Sequence, residues 1–138
     1  MTTIAQAPRQ VLDRYYQAMR DKSADALADL YAEDAVHEFP FTSPGFPARF
    51  EGREQVREGY GAAWGAMLAE VAAVEEVSYH ETADPGVIVA EQVTVVALPG
   101  GATMRVPGLL VLEVRDGLIR RTRDYIDALA VRPDLAAA

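Results

Sequence analysis

Two carboxylates near the end of the chain, Asp124 and Asp127, lie in a segment whose alternating pattern predicts the last strand. Because side chains alternate across a strand, the two carboxyl groups point to opposite faces of a sheet. The face predicted to be interior comprises Leu118, Arg120, Thr122, Asp124, Ile126 and Ala128. A buried carboxylate is costly unless it is paired, hydrogen-bonded or protonated, so Asp124 is a candidate general acid or base. The alternative is a structural contact, for example an ion pair with Arg105 across the sheet.

Three other types of side chain could assist proton transfer near Asp124. His37 is a candidate because a histidine can shuttle protons or orient a carboxylate, although a lone histidine can also be a hydrogen-bonded core residue. Tyr15 could donate a hydrogen bond to a substrate oxygen, or could simply pack in the core. Gln92 and Thr94 share one face of a predicted strand and would offer neutral polar contacts to a cavity.

All four phenylalanines of the protein lie in a single segment, residues 39–50, which is rich in proline. They are Phe39, Phe41, Phe46 and Phe50. Pro40, Pro44, Gly45 and Pro47 predict an irregular loop there. Aromatic rings concentrated in a loop could form a flap over an apolar ligand, or could anchor the loop to the core; both interpretations stay open.

The elements that must position these residues follow from periodicity and turn signals. Helices are predicted at residues 8–20, from an N-cap at Ser23 to Tyr31, and from Gly52 to Met67. Strands are predicted at Ala35–Phe39, Val71–His80, Val87–Leu98, Thr103–Val114 and Leu118–Leu129, with glycine-containing hairpin turns between the last four. Helices that precede a run of antiparallel strands predict an α+β fold, with a curved, cone-shaped antiparallel sheet packed on three helices. The mouth of such a cone is a natural site for a small ligand.

Composition limits the classes of function. At 138 residues the chain is expected to be a single domain, residues 1–138, with its core at about 8–130 and a short tail at 131–138. The net charge of −8 argues against nucleic acid as a partner. The absence of cysteine excludes disulfides and zinc–sulfur sites and suits a cytoplasmic protein, and no segment has the length of a membrane span. No metal site is expected, because the adjacent residues His37 and Glu38 point apart on a strand.

Several segments in order resemble the nuclear-transport-factor-two-like superfamily, which includes ketosteroid isomerase, limonene epoxide hydrolase and the SnoaL-like polyketide cyclases. The segments are Arg14–Ala18 with Met19, Leu30–Ala35, Phe50–Glu54, Gly117–Ile119 and Arg123–Asp127. The resemblance implies that Asp124 occupies the position of a catalytic aspartate in the last strand. It also implies that Gln92 and Thr94 replace the arginine and second aspartate of the epoxide hydrolase, and that Phe39 replaces the general base of ketosteroid isomerase.

The pattern that survives this resemblance is that of the SnoaL-like cyclases, in which one acid/base aspartate serves an apolar pocket. We therefore expect a cofactor-free cyclase or isomerase acting on a hydrophobic oxygenated molecule such as a polyketide or steroid-like compound, with Asp124, His37 and Tyr15 as catalytic residues. The alternatives are an epoxide-hydrolase-like enzyme and a non-catalytic binding protein for an apolar ligand. The resemblance also implies a homodimer. The expected substrate contacts are Phe39, Phe41, Phe46, Tyr60, Trp64, Gln92, Thr94, Val106, Leu110, Thr122 and Ile126.

Overall fold

The structure, a computed structural model, describes residues 6–41, 44–45, 47–127 and 130. Within these residues, three helices and six strands follow one another. They are α1 (Pro8–Asp21), α2 (Ala24–Ala28), β1 (Tyr31–Glu38), β2 (Arg49–Glu51), α3 (Arg53–Ala66), β3 (Glu70–Glu81), β4 (Val87–Ala97), β5 (Thr103–Arg115) and β6 (Leu118–Ile126). The predicted α+β class is therefore confirmed.

Local signals explain where several elements begin and end. Pro8 occupies the first turn of α1, where its missing N–H costs nothing, and the Ser23 side chain caps α2 by accepting a hydrogen bond from the Ala26 amide at 3.1 Å. Asp116 and Gly117 both have positive φ angles, 53° and 79°, which suits the two-residue turn between β5 and β6.

The first strand differs from its prediction. It begins at Tyr31 rather than Ala35, and α2 ends at Ala28 instead of continuing to Tyr31. Tyr31 is fully buried within the strand, and the amide of Ile119 donates to the carbonyl of Leu30 at 2.8 Å. Pairing with β6 therefore fixes these residues in an extended conformation, which helical periodicity alone did not indicate.

The six strands form one open, mixed sheet in the order β2-β1-β6-β5-β4-β3. The run β3 to β6 is an antiparallel meander, as predicted. The sheet is not wholly antiparallel, because β1 lies parallel to β6 and carries the short strand β2 at the edge, inside the segment predicted as a loop. The parallel pair brings His37 beside Thr122 in register, and this places the first strand against the strand that holds Asp124.

A β-bulge corrects the predicted faces of the last strand. In the pairing of β5 with β6, Glu113 lies opposite Arg121 but Val114 lies opposite Ile119, so Arg120 is an extra residue. The predicted interior face is therefore right for Thr122 and Asp124, which are buried, and wrong for Arg120, which is exposed. Ile119, predicted to face outward, is fully buried in place of Leu118, which is only partly so.

The main core lies between the helices and one face of the sheet. Helix α1 packs on β3, β4 and β5, whereas α3 packs on α2, β1 and β2. The buried apolar residues of this core include Val11, Leu12, Leu27, Val56, Ile88, Leu112 and Ile119. Among the described helices, none is long and apolar enough to cross a membrane.

Candidate active site

The carboxyl group of Asp124 is held by two side chains from other elements. Asp124 lies on β6 opposite Leu110 of β5, and only 8% of its surface is exposed. Its Oδ2 accepts a hydrogen bond from the Tyr60 hydroxyl of α3 at 2.9 Å and lies 3.1 Å from His37 Nε2 of β1. The Tyr60 hydroxyl is itself 3.0 Å from His37 Nε2. These three polar atoms therefore form a compact triangle that fixes the orientation of the carboxyl group.

The imidazole of His37 is fully buried behind Asp124. Its Nδ1 lies 2.6 Å from the Tyr31 hydroxyl, which in turn lies 2.9 Å from Thr122 Oγ1. The ring also packs against Phe39, with ring centroids 4.8 Å apart. Both ring nitrogens thus have partners, and the ring is held by strands β1 and β6 together.

These contacts define a consistent set of protons when Asp124 is ionised. A carboxylate only accepts hydrogen bonds, so His37 Nε2 must then carry a proton and donate it toward Oδ2. In a neutral imidazole Nδ1 is then an acceptor, so Tyr31 donates to it and Thr122 donates to the oxygen of Tyr31. If His37 takes a second proton, Nδ1 becomes a donor and the Tyr31 and Thr122 hydroxyls can rotate the other way. The chain of hydroxyls can therefore satisfy either charge state of the ring.

A cavity of about 130 Å³ lies in front of Asp124, between α1, α3 and the inner face of β3 to β6. Its lining residues are Tyr15, Met19, Tyr60, Trp64, Met67, Val71, Gln92, Thr94, Val96, Val106, Pro107, Gly108, Leu110, Asp124 and Ile126. In this described lining, Asp124 is the one acidic or basic side chain. A single carboxyl group in otherwise neutral, largely apolar surroundings is suited to exchange a proton with a small ligand.

Three tyrosines of this region resist ionisation. Burial raises the pKa of Tyr15 and Tyr60 well above the ordinary value of 10.0, and the nearby charges of Asp124 and of other tyrosines raise it further. Burial likewise raises the pKa of Tyr31. A phenol that stays protonated remains a hydrogen-bond donor, so Tyr15 can offer an O–H group to the cavity while the Tyr60 O–H donates to Asp124.

Comparison with known proteins agrees with this fold. Residues 12–122 match the SnoaL-like domain. The chain belongs to the SnoaL-like family. The matched region ends two residues before Asp124, so the candidate acid lies just beyond it.

Two relatives are similar to the chain over nearly their whole lengths. An uncharacterized PhzA/B-like protein of Pseudomonas aeruginosa is 31% identical over 126 residues, which cover 88% of this chain and 84% of that protein. The crystal structure of a proposed isomerase from Bacillus subtilis superimposes with a TM-score of 0.82 at 26% identity, covering 95% of this chain and 94% of that one.

A more distant structure shares the fold. A Mycobacterium tuberculosis protein in complex with estradiol-17β-hemisuccinate has a TM-score of 0.70 and 22% identity, covering 87% of this chain and 94% of that chain. At this identity the likeness concerns the SnoaL-like architecture alone.

The structure brings most of the predicted site residues of this SnoaL-like domain to one cavity. Of the predicted residues, those in the lining are Tyr15, Tyr60, Trp64, Gln92, Thr94, Val106, Leu110, Asp124 and Ile126. His37, Phe39 and Thr122 are buried outside the lining, behind Asp124. Phe41 is 66% exposed and packs on Tyr125 at the surface, with ring centroids 5.2 Å apart. Phe46 lies outside the described residues.

The ion pair between Arg105 and Asp124, offered as an example of a structural role for Asp124, does not occur. Arg105 pairs with Glu75 at 3.0 Å on the exposed side of the sheet, away from Asp124. The arginines of the last strand pair with surface acids as well, Arg120 with Asp34 and Arg121 with Glu38. Among the described residues, no cluster of three or more histidine, aspartate or glutamate side chains is arranged to hold a metal ion.

Several contacts and lining residues of the site were not predicted from the sequence. The contact of Tyr31 with His37 was missed because Tyr31 was assigned to a helix. The contact of Tyr60 with Asp124 was missed because it joins residues 64 positions apart in the chain. Met19 could have been found, since it lies one helical turn from Tyr15 on the same face of α1.

Proposed function

We propose that this SnoaL-like protein is a cofactor-free enzyme that moves a proton on a hydrophobic, oxygenated small molecule, with Asp124 as general base and acid. The observation that carries the proposal is the position of Asp124, which lines the cavity while its Oδ2 is held by Tyr60 and His37. Isomerisation and ring closure of a carbonyl compound through an enolate both begin with removal of a proton from the carbon beside the carbonyl group. One positioned carboxylate can serve either reaction.

The second oxygen of Asp124 is the reacting atom in this proposal. Among the described residues no side chain or amide donates a hydrogen bond to Oδ1, whereas Oδ2 has two partners. Oδ1 takes the proton from the carbon next to the carbonyl, and the C–H electron pair forms the enolate. The resulting carboxylic acid returns the proton to another carbon in an isomerisation. In a cyclisation the enolate carbon instead attacks a second carbonyl of the same molecule, and the acid protonates the new alkoxide.

The enolate oxygen needs a hydrogen-bond donor in a place that water does not dominate. Tyr15 lines the cavity, is 2% exposed and keeps its proton because burial raises its pKa. A preformed O–H donor at that place stabilises developing negative charge without reorganisation of solvent. Tyr60 adds a second O–H group, which can turn toward the substrate once Asp124 has accepted a proton.

His37 acts as a positioning residue in this proposal. It lies behind Asp124 and outside the cavity lining, so it does not touch a molecule in the cavity. Through Nε2 it fixes the rotamer of the carboxyl group, and through the Tyr31 and Thr122 hydroxyls it can adjust to the charge of Asp124.

Proton exchange with solvent tests the proposal without knowledge of the natural substrate. In deuterium oxide, the protein should accelerate exchange of the protons beside the carbonyl of cyclohexanone, measured by proton NMR. Asp124→Asn removes the base and should lower this acceleration by about 10²- to 10⁴-fold. Asp127→Asn, in an exposed residue at the end of the same strand, should retain it. Equal exchange by the wild type and Asp124→Asn would contradict the proposal.

A non-catalytic carrier of an apolar ligand is the second candidate. It is favoured by the largely apolar lining and by the fact that Asp124 already has two hydrogen-bond partners, which is also what a purely structural carboxylate would show. Ligand binding without any proton exchange, unchanged in Asp124→Asn, would support this function.

An epoxide hydrolase is less well supported. By the resemblance, Gln92 and Thr94 replace the arginine and the second aspartate of limonene epoxide hydrolase. Both side chains are neutral, and both line the cavity. Conversion of cyclohexene oxide to the diol, abolished in Asp124→Asn, would establish hydrolysis instead.

A further inference from the structure

Gln92 carries a buried polar atom that no other group satisfies. Only 4% of the surface of Gln92 is exposed. Its Oε1 has no hydrogen-bond partner, and in the described part of the chain it is the one buried side-chain nitrogen or oxygen atom without a partner. Neither end of the amide makes a hydrogen bond to a described residue, although Gln92 lines the cavity. A buried amide oxygen without a hydrogen-bond partner is unfavourable, so a core position would ordinarily be filled by an apolar residue.

The geometry of the sheet places this amide across the cavity from Asp124. Gln92 of β4 lies opposite Gly108 of β5, which lies opposite Ile126 of β6. Asp124 lies two residues before Ile126 on β6, opposite Leu110 of β5. Two strand spacings and two residues along a strand separate the Cα positions of Gln92 and Asp124 by about 12 Å on a flat sheet. Both side chains project from the same face, which shortens the distance between their polar ends.

Gly108 lets the Gln92 side chain extend over the neighbouring strand. A Cβ atom built on Gly108 would lie 3.5 Å from Gln92 Nε2, so the amide rests directly above this residue. Because Gly108 has no side chain, the Nε2 end of the amide lies over β5 at the cavity, while Oε1 is buried.

The cavity's size and charge restrict what could meet both groups. Its volume of about 130 Å³ is close to the roughly 150 Å³ of an apolar cavity that holds benzene. Pockets for drug-sized ligands are larger, about 300–1,000 Å³. Because the described lining contains a carboxyl group and no basic side chain, it offers nothing to neutralise an anionic ligand.

We propose that Gln92 is a specificity residue for an uncharged, single-ring compound oxygenated at two positions. A hydroxyl group on one side of the ring binds the Gln92 amide, and a carbonyl on the other side faces Asp124 and Tyr15. The assignment of the carbonyl end rests on the proposed function, whereas the hydroxyl end rests on the unpaired amide alone. A hydroxyl fits either orientation of the amide, because it accepts from Nε2 in the observed orientation and donates to Oε1 once the amide has turned over.

The experiment uses the single tryptophan of the protein as a reporter. Trp64 lines the cavity, so ligand binding should change its fluorescence. The probes are cyclohexanone bearing a hydroxyl opposite the carbonyl, and the analogue of the same size bearing a methyl group there. The wild type should bind the hydroxyl compound at least about tenfold more tightly than the methyl compound, since only the hydroxyl satisfies the amide.

Gln92→Met keeps the length of the side chain and removes the amide. The variant should fold, because it replaces an unpaired polar group, and its preference should disappear or reverse. Glu91→Met, in an exposed neighbour on the other face of β4, should keep the wild-type preference. A wild-type protein that binds both probes equally, or a preference that survives in Gln92→Met, would overturn the proposal.

Two further measurements separate this inference from the proposed reaction and test the size limit. Asp124→Asn should lose proton exchange but keep the preference for the hydroxyl probe. If the wild type showed no proton exchange but still preferred the hydroxyl probe, the result would count against the proposed reaction and not against the role of Gln92. Estradiol should bind the wild type more weakly than the hydroxyl probe, and tighter binding of estradiol would overturn the single-ring assignment.

Discussion

His37 and Asp124 form a buried pair of which Asp124 alone reaches the cavity. His37 Nε2 lies 3.1 Å from Asp124 Oδ2, yet the imidazole is fully buried and lies outside the cavity lining. Both residues were predicted from the sequence as catalytic, but only Asp124 is positioned at the cavity surface. Asp124 lines the cavity, whereas His37 contacts Asp124 from outside the lining.

His37→Leu should destabilise the fold. The substitution leaves Tyr31 without the short contact to Nδ1 and removes one of the two partners of Oδ2, inside a fully buried site. Unpaired buried groups of this kind cost about 2–4 kcal/mol in total. Urea unfolding measures the change, and His80→Leu, in an exposed histidine, is the matched control. A loss in His37→Leu no greater than in His80→Leu would mean that the network contributes little.

Tyr60→Phe should lower activity more than stability. The ring still packs against Trp64, with centroids 4.8 Å apart, but the hydrogen bond to Asp124 Oδ2 is lost. We expect a loss of about 1 kcal/mol in unfolding free energy, together with a fall in proton exchange because the carboxyl group is less well oriented. Tyr79→Phe, on β3 away from the cavity lining, should have neither effect. Wild-type exchange rates in Tyr60→Phe would argue against an orienting role.

The stability of the protein should fall in alkaline solution. Burial raises the pKa of Tyr15, Tyr31 and Tyr60 above the ordinary value of 10.0, so the unfolded chain releases these protons at lower pH than the folded protein does. The stabilisation is fully present below pH 10.0 and is lost as pH rises toward the folded-state values. Thermal unfolding measured across this range should show a decreasing Tm, and the decrease should be smaller in Tyr31→Phe. An identical decrease in wild type and Tyr31→Phe would contradict this account.

Two glycines of helix α3 should respond oppositely to alanine. A Cβ atom on Gly59 would clash with the ring of Phe50, whereas one on Gly65 would have no neighbour within 4 Å. Gly65→Ala should therefore stabilise the protein by about 0.5–1 kcal/mol through helix propensity. Gly59→Ala should destabilise it by about 1–3 kcal/mol, because the ring that packs beside His37 must move. Equal stabilisation by both substitutions, measured by urea unfolding, would show that Phe50 adapts freely.

The homodimer implied by the family resemblance stays a prediction, and sedimentation at micromolar concentration tests it.

The phenylalanines of the proline-rich segment 39–50 were predicted either to form a flap over a ligand or to anchor the segment to the core. Phe39 and Phe50 pack together at 5.5 Å and anchor their ends of the segment, whereas Phe41 lies on the surface against Tyr125. Neither arrangement places a phenylalanine of the described residues in the cavity lining.

Local chemistry in the sequence was enough to determine most of the elements. Pro8, Ser23 and Asp116–Gly117 act on their own neighbours, and the apolar alternation of β3 to β5 reflects burial of one face, so these features could be predicted without the fold. The interior position of Asp124 followed from the same alternation.

Tertiary structure decided what surrounds Asp124. Whether Tyr31 belonged to a helix or a strand, and which face Arg120 took, depended on pairing between β1 and β6 and on a bulge, which involve residues far apart in the chain. The triangle of Asp124, His37 and Tyr60 joins three elements, and the unpaired amide of Gln92 is apparent only once the surrounding donors are placed. Sequence determines which groups are available, but the distances between them arise from packing, and hydrogen bonding depends steeply on distance.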